Sequence, residues 1–262
     1  MNIQMATASS SLSQTQKKMD TIANNIANVN TAGYKSREAS FQNLLTREYE
    51  NQTGEANEPG RQTPENLRVG FGSKVGLTTL RFEQGSAQET GRELDVMLEG
   101  DNVYFRVQNG EEVHYTRDGS FEFQNENGAL TLVTSSGNPV LDVNGNEITF
   151  ANNPGKLTIS DEGGIQAENG ETFQLSVVKI NRPQSLVNEG GNEFSLNVAD
   201  ATAVVEPNTE EFKMRQGFLE MSNVDLTKET TDMISTQRLL QFQSQAIKMA
   251  DEMMGLANTI KR

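Results

Sequence analysis

Three short stretches hold residue types from which an active site could be built. His114, Asp118 and Ser120 supply the parts of a nucleophilic triad, in which a histidine takes the serine proton and a carboxylate orients the imidazole. They fall within seven residues on what reads as a hairpin, and no nucleophile elbow or oxyanion loop accompanies them, so the stretch reads as a surface turn. Asp142-Val-Asn-Gly-Asn146 offers the oxygen ligands of a calcium loop, but its Gly comes too early and the closing Glu is missing, which leaves a tight turn. Glu93, Asp95, Glu99 and Asp101 could include the paired carboxylates of a glycosidase; they fit an alternating strand face equally well. No residue is read as catalytic, no cofactor or metal is expected, and the chain is not expected to be an enzyme.

Composition narrows the field further. The 262 residues carry 22 basic and 36 acidic side chains, a net charge of −14. A polyanion is repelled by such a chain, because phosphate binding relies on Lys and Arg displacing counterions, so no nucleic-acid partner is expected. With no Cys and one His, disulfides, thiolate chemistry and zinc clusters are excluded. No apolar run approaches the ~18 residues of a membrane span, so direct membrane insertion is not expected. The first 30 residues lack a basic start followed by an apolar stretch, so no cleaved signal peptide is expected.

The elements lie in a simple order. Met5, Leu12, Met19 and Ile26 recur every seven residues, and Ala8, Ile22 and Val29 form a second such row, weakened at Thr15. Two rows at this spacing make the apolar seam of a coiled-coil helix, here over about residues 3 to 30, with Gly33 as a candidate cap. The other end repeats the pattern in Leu226, Met233, Leu240, Ile247 and Met254, with Leu239, Ala246, Met253 and Ile260 as a neighbouring ridge. Ser222 and Asp225 resemble a capping box before that helix.

Between the helices the period changes to two. Asn109-Gly110, Asn127-Gly128, Asn144-Gly145 and Asn169-Gly170 are hairpin dipeptides, with Asp118-Gly119 as a fifth candidate. They separate Val103–Val107, Phe121–Phe123, Leu130–Val133, Leu157–Ile159 and Phe173–Ile180, which predicts an antiparallel β domain. The predicted class is α+β: long terminal helices in a coiled-coil-like layer, and a central β domain. The predicted divisions are 1–45, N-terminal helix and start of an arm; 46–92, an extended polar arm; 93–205, the β domain; and 206–262, a connection and the C-terminal helix. Two amphipathic helices on one chain leave apolar surface wet unless copies of the chain cover it. Contacts that do not close into a ring generate filaments or tubes.

Ala23-Asn-Asn-Ile-Ala-Asn-Val-Asn-Thr-Ala-Gly-Tyr-Lys35 closely resembles the signature of bacterial flagellar rod and hook proteins, and Gly217-Phe-Leu-Glu-Met-Ser-Asn-Val-Asp-Leu226 resembles that family's C-terminal signature. Asp232–Arg238, Leu94–Gly100, Tyr115–Phe121, Gly137–Val140 and Pro183–Phe194 are similar to further family segments in the same order, so the resemblance spans nearly the whole chain. Its length and arm look most like the distal-rod branch, with the proximal rod proteins next. The resemblance implies a structural subunit of the basal body that polymerises through its terminal helices into a tubular drive shaft between motor and hook. It implies other rod and hook subunits as partners, and export through the flagellar type III apparatus. A hook-type or rod–hook junction subunit, and an exported β-domain binding module, remain as alternatives.

The expected assembly interface comprises Met5, Leu12, Met19, Ile22, Ile26 and Val29 of the first helix with Gly33 beyond it, and Leu226, Met233, Leu240, Ile247 and Met254 of the second. Asn24, Asn25, Asn28 and Asn30 interrupt the first apolar stripe and are candidates for setting register, as half-buried amides do.

Overall fold

The computed structural model describes residues 2–43, 46–50, 66–70, 73–126, 128–196, 204–205 and 212–260. The middle of the expected arm (51–65) and most of the second polar connection (206–211) lie outside the described residues. The chain is α+β and divides into two compact units, one of residues 1–26, 37–79 and 226–262, the other of residues 27–36 and 80–225.

The first unit contains helix α1 (Asn2–Ala27) and helix α2 (Leu226–Ile260). It also holds a ladder between Arg37–Asn43 and Ser73–Leu80, and a hairpin pairing Thr46–Glu50 with Asn66–Gly70. α2 starts at Leu226, later than Ser222 suggests, because the Ser222 hydroxyl accepts the Val224 N–H in a turn upstream. In α1 the most buried row is the one that includes Thr15 and Ile22. Thr15 costs that row little, since its hydroxyl donates to the Ser11 carbonyl one turn back and arrives already paired.

The second unit is built on a six-stranded antiparallel sheet. Its order is Leu186–Gly190, Glu193–Leu196, Glu112–Thr116, Val103–Asn109, Val177–Ile180 and Val204–Val205. Two three-stranded sheets accompany it, Thr149–Phe150/Ala129–Val133/Glu122–Glu126 and Leu157–Ile159/Gly164–Ala167/Thr172–Gln174. Apolar residues of these sheets and of the segments beside them meet in one main core that includes Leu98, Phe105, Phe121, Leu132, Ile148, Phe150, Ile165 and Leu175. Edge-to-face rings tie it together, Phe105 on Phe121 and Phe150 on both Phe123 and Phe173.

Asn-Gly at 109–110, 144–145 and 169–170 forms turns, and Gly128 follows the same pattern, each Gly at the positive φ that such turns require. Asp118-Gly119 does not. A side chain on Gly119 would fall 1.8 Å from the Val96 carbonyl oxygen, so this glycine permits a buried crossing of two backbones. The long strand expected at Phe173–Ile180 is two strands in different sheets. At Leu175 and Ser176 the backbone turns from one to the other, bonding to Gly163, Leu141 and Arg106 on the way.

Candidate functional site

The segments that carry the most distinctive sequence patterns converge inside the β unit. Two short ladders bring the C-terminal stretch into it: Lys213–Gln216 pairs with Val96–Glu99, and Phe218–Glu220 pairs with Ala87–Glu89. The segment that follows α1 lies against the second of these. The Gly33 N–H donates to the Glu220 carbonyl at 2.8 Å. Gly33 is therefore no helix cap: α1 has ended at Ala27, and at φ 68° Gly33 brings the backbone so close that a side chain would lie 2.6 Å from the Asp118 nitrogen.

At the centre sit three charges, each only 2% exposed: Lys35, Arg117 and Glu220. The Lys35 ammonium donates to Glu220 Oε1 at 2.7 Å and to the Glu83 carbonyl at 2.8 Å. The Arg117 guanidinium donates to Glu220 Oε2 at 3.0 Å and to the carbonyls of Leu98 and Gly100. The Gly85 N–H completes the carboxylate's shell at 2.9 Å. Arg117 also lies 5.4 Å over the Tyr104 ring. Burial pulls the Lys35 ammonium below its ordinary pKa, with Glu220 opposing that shift, and burial pushes the Tyr104 hydroxyl up to about 12.

Asn223 closes the arrangement. Its side-chain oxygen accepts the Ser36 N–H, and its amide donates to the carbonyls of Arg81 and Glu83, while the Arg81 N–H bonds back to Ser36. Three points where the chain enters or leaves the β unit are thus stitched to one another by one amide. Lys35, Arg117, Glu220 and Asn223 were not singled out from the sequence. The available signal was slight: Lys35 is the only charge in its motif, while Arg117 and Glu220 each share a motif with one other charge, Asp118 and Asp225.

No triad forms: Asp118 and Ser120 meet, but His114 turns to other partners. His114 Nδ1 is 3.2 Å from Glu193 Oε2, and Asn138 donates to both oxygens of that carboxylate. Asp118 instead accepts the hydroxyls of Ser120 and Ser135 and the Ser120 N–H. Asp142 accepts the Asn144 amide within its own turn. Glu93 accepts the Leu157 N–H, Glu99 pairs with Arg215 at 3.1 Å, and Asp95 is buried 3.6 Å from Arg92. No group of side chains able to hold a metal ion, and no helix long and apolar enough to cross a membrane, occurs among the described residues.

The helices hold the remaining expected positions. In α1, Ile22 is buried, Met5, Leu12, Met19, Ile26 and, beyond the helix, Val29 are half-buried, and Asn24 and Asn30 are exposed. Asn28 is half-buried and accepts the Thr31 hydroxyl. Asn25, 1% exposed, uses its whole amide: the oxygen accepts the Arg37 N–H, and the nitrogen donates to the Arg37 carbonyl and to Glu229 Oε1 of α2. Burial raises the pKa of that Glu229 carboxyl, against the opposing bond from Asn25. In α2, Met233, Leu240, Ile247 and Met254 are half-buried while Leu226 is largely exposed. A second row stands open: Leu239, Phe242, Met249, Met253 and Leu256 are 48 to 68% exposed, with Ala246 exposed among them. Their spacing alternates three and four, the period of a coiled-coil seam.

Long helices at both chain ends, one with an open apolar seam, and a β unit whose central charges are spent on holding chain segments together define a structural assembly subunit. Three family models match the chain in order: the flagella basal body rod protein model over residues 5–35, the D1 domain of flagellar hook protein FlgE/F/G over 97–167, and the C-terminal model of flagellar basal body rod FlgEFG protein over 215–260. The flagellar hook-basal body complex protein FlhP of Bacillus subtilis is 39% identical over 98% of both chains. The flagellar basal-body rod proteins FlgG of Borreliella burgdorferi (36% identical, 98% of this chain and 97% of the other) and of B. subtilis (34%, 94% of each) are similar over nearly their whole length. The chain belongs to the flagellar basal-body rod and hook family. It is a structural component of the basal-body rod, with no enzymatic activity.

Proposed function

We propose that the subunit builds the rod as a homopolymer, a helical tube held by layers of its terminal helices, and that it meets other rod and hook subunits at the tube's ends. The two helices divide the work. The half-buried rows of α1 and α2 serve the single chain, with Asn25 and Glu229 setting where the helices meet, while the open row of α2 is covered by helices of neighbouring copies. The open row carries this reading. Burying five large side chains now about half to two-thirds exposed contributes on the order of 6 kcal/mol, similar to the cost of immobilising a partner. One such contact is marginal, whereas a subunit with several neighbours is held firmly, so growth is cooperative. Because cysteine is absent from the sequence, a chain can also travel unfolded through the type III export apparatus with no disulfide to undo.

The test is assembly of the purified protein, read by sedimentation and negative-stain micrographs. Met253→Asp removes an exposed apolar contact and introduces a charge, so it leaves the monomer's melting temperature unchanged and abolishes polymer, because the charge would be desolvated without a partner. Ile247→Asp, at a half-buried position, lowers both. Polymer of normal yield and length from Met253→Asp refutes the assignment of the open row.

A further inference from the structure

Sulfur in this chain is confined to thioethers. The sequence has ten methionines and no cysteine, so no thiol competes for an oxidant. Burial divides the described methionines sharply. Met97 and Met214 of the β unit are 4% and 1% exposed, whereas Met249 and Met253 are 57% and 62% exposed. Met5, Met19, Met221, Met233 and Met254 are half-buried. The two open thioethers stand four residues apart on α2, so they share one helix face, and that face is the open row.

We infer that Met249 and Met253 are an oxidation site: hydrogen peroxide converts them to sulfoxides, and the conversion withholds the subunit from assembly until it is reversed. This inference rests on the open row of α2 being the surface that neighbouring copies cover. A thioether offers its lone pairs without first losing a proton, so access decides which methionine reacts first. The sulfur attacks one peroxide oxygen, and an S–O bond forms as the O–O bond breaks. The departing hydroxide takes up the proton of the transferred hydroxyl and leaves as water. Sulfur gives up two electrons and the peroxide gains them.

The effect follows from where the row must go. Each sulfoxide replaces an apolar thioether by a strong hydrogen-bond acceptor, and an acceptor closed between apolar helix faces finds no donor. In the single chain the same group stays in water, so the fold is unaffected. Oxidation therefore weakens contacts between copies and spares the monomer. Polymer is protected in turn, because neighbours packed over the row remove peroxide access.

The experiment treats dilute full-length monomer with hydrogen peroxide and removes the oxidant with catalase. It then reads peptide masses, melting temperature and the critical concentration for polymerisation. Met249 and Met253 are expected to gain oxygen ~10-fold faster than Met97 and Met214. The critical concentration rises at least ~10-fold while the melting temperature stays where it was. The two methionine sulfoxide reductases, one for each epimer, return it to its starting value with dithiothreitol as reductant; each sulfoxide oxygen leaves as water while two thiols become a disulfide. In Met249→Leu/Met253→Leu the critical concentrations before and after peroxide differ by less than about 2-fold. Oxidation of Met97 or Met214 as fast as the open pair overturns the site, as does a peroxide effect in the double variant equal to that in the wild type. Failure of the reductases to restore wild-type assembly overturns it as well. Full oxidation of the pair with an unchanged critical concentration also overturns the inference, and normal polymer from Met253→Asp in addition refutes the open row itself. A wild-type chain that never polymerises refutes helical assembly and takes this inference with it.

Discussion

Replacing Glu220 by Ala tests whether the three-charge knot holds the β unit together. The carboxylate receives the Lys35 ammonium, the Arg117 guanidinium and the Gly85 N–H, and none of the three charged side chains is more than 2% exposed. Removing it leaves two buried cations facing each other. Their remaining bonds are only to carbonyls: Glu83 for Lys35, Leu98 and Gly100 for Arg117. Breaking one side of a buried pair costs ~3–5 kcal/mol, and for a unit of this size each kcal/mol lowers the melting temperature by about 2–4 °C. A fall of about 6–20 °C follows for Glu220→Ala, measured by calorimetry on the monomer. Glu99→Ala is the internal control: its carboxylate meets Arg215 at 3.1 Å with both side chains well exposed, and such a pair contributes ~1 kcal/mol or less. Hydrogen exchange should accelerate in residues 27–36 and 217–225 of the Glu220 variant before it does in the six-stranded sheet. Equal, small losses from the two variants, or loss from Glu220→Ala below about 3 °C, would refute the reasoning.

Four further outcomes are expected. Gly33→Ala forces a side chain into a positive-φ position 2.6 Å from the Asp118 nitrogen and destabilises the β unit by more than ~2 kcal/mol in urea titrations. Lys35 holds its proton less tightly folded than unfolded, so its contribution to stability rises with pH between its lowered folded value and its ordinary 10.5; Lys35→Met removes that rise in urea titrations from pH 8 to 10.5. Tyr104 titrates near 12 when folded, against 10 when unfolded, so stability is lost as pH climbs from 10 toward 12. Tyr104→Phe abolishes this loss in the same urea titrations. Limited proteolysis of dilute monomer, with fragments read by mass, should cut the open C-terminal half of α2 first and leave the β unit resistant, whereas uniform protection of α2 would contradict its exposure.

Features governed by residues near one another in the chain were legible in advance. The sevenfold apolar rows mark both helices because a helix face is a local periodicity. The Asn-Gly turns at 109–110, 144–145 and 169–170 were readable because positive φ is a property of the turn residues themselves. What escaped depends on partners far along the chain. Lys35 and Glu220 are 185 positions apart, and neither spacing nor composition says that they meet. Asp118-Gly119 has turn chemistry, yet its glycine is dictated by the Val96 carbonyl of another strand. The apolar run at Phe173–Ile180 has strand character throughout; only the surrounding sheets make it change partners at Leu175. On α2 the pattern revealed two ridges without saying which one a single chain covers.

The stitching by Asn223 gives the β unit the character of a cassette. Ser36, Arg81 and Asn223 are bonded to one another, so three of the four places where the polypeptide enters or leaves this unit are held together. Whatever is folded beyond these ties can grow, shrink or be exchanged without altering the spacing between the segments they hold. The β unit can therefore differ in size between relatives of this chain, provided it keeps the lysine, arginine, glutamate and asparagine that tie its own segments together.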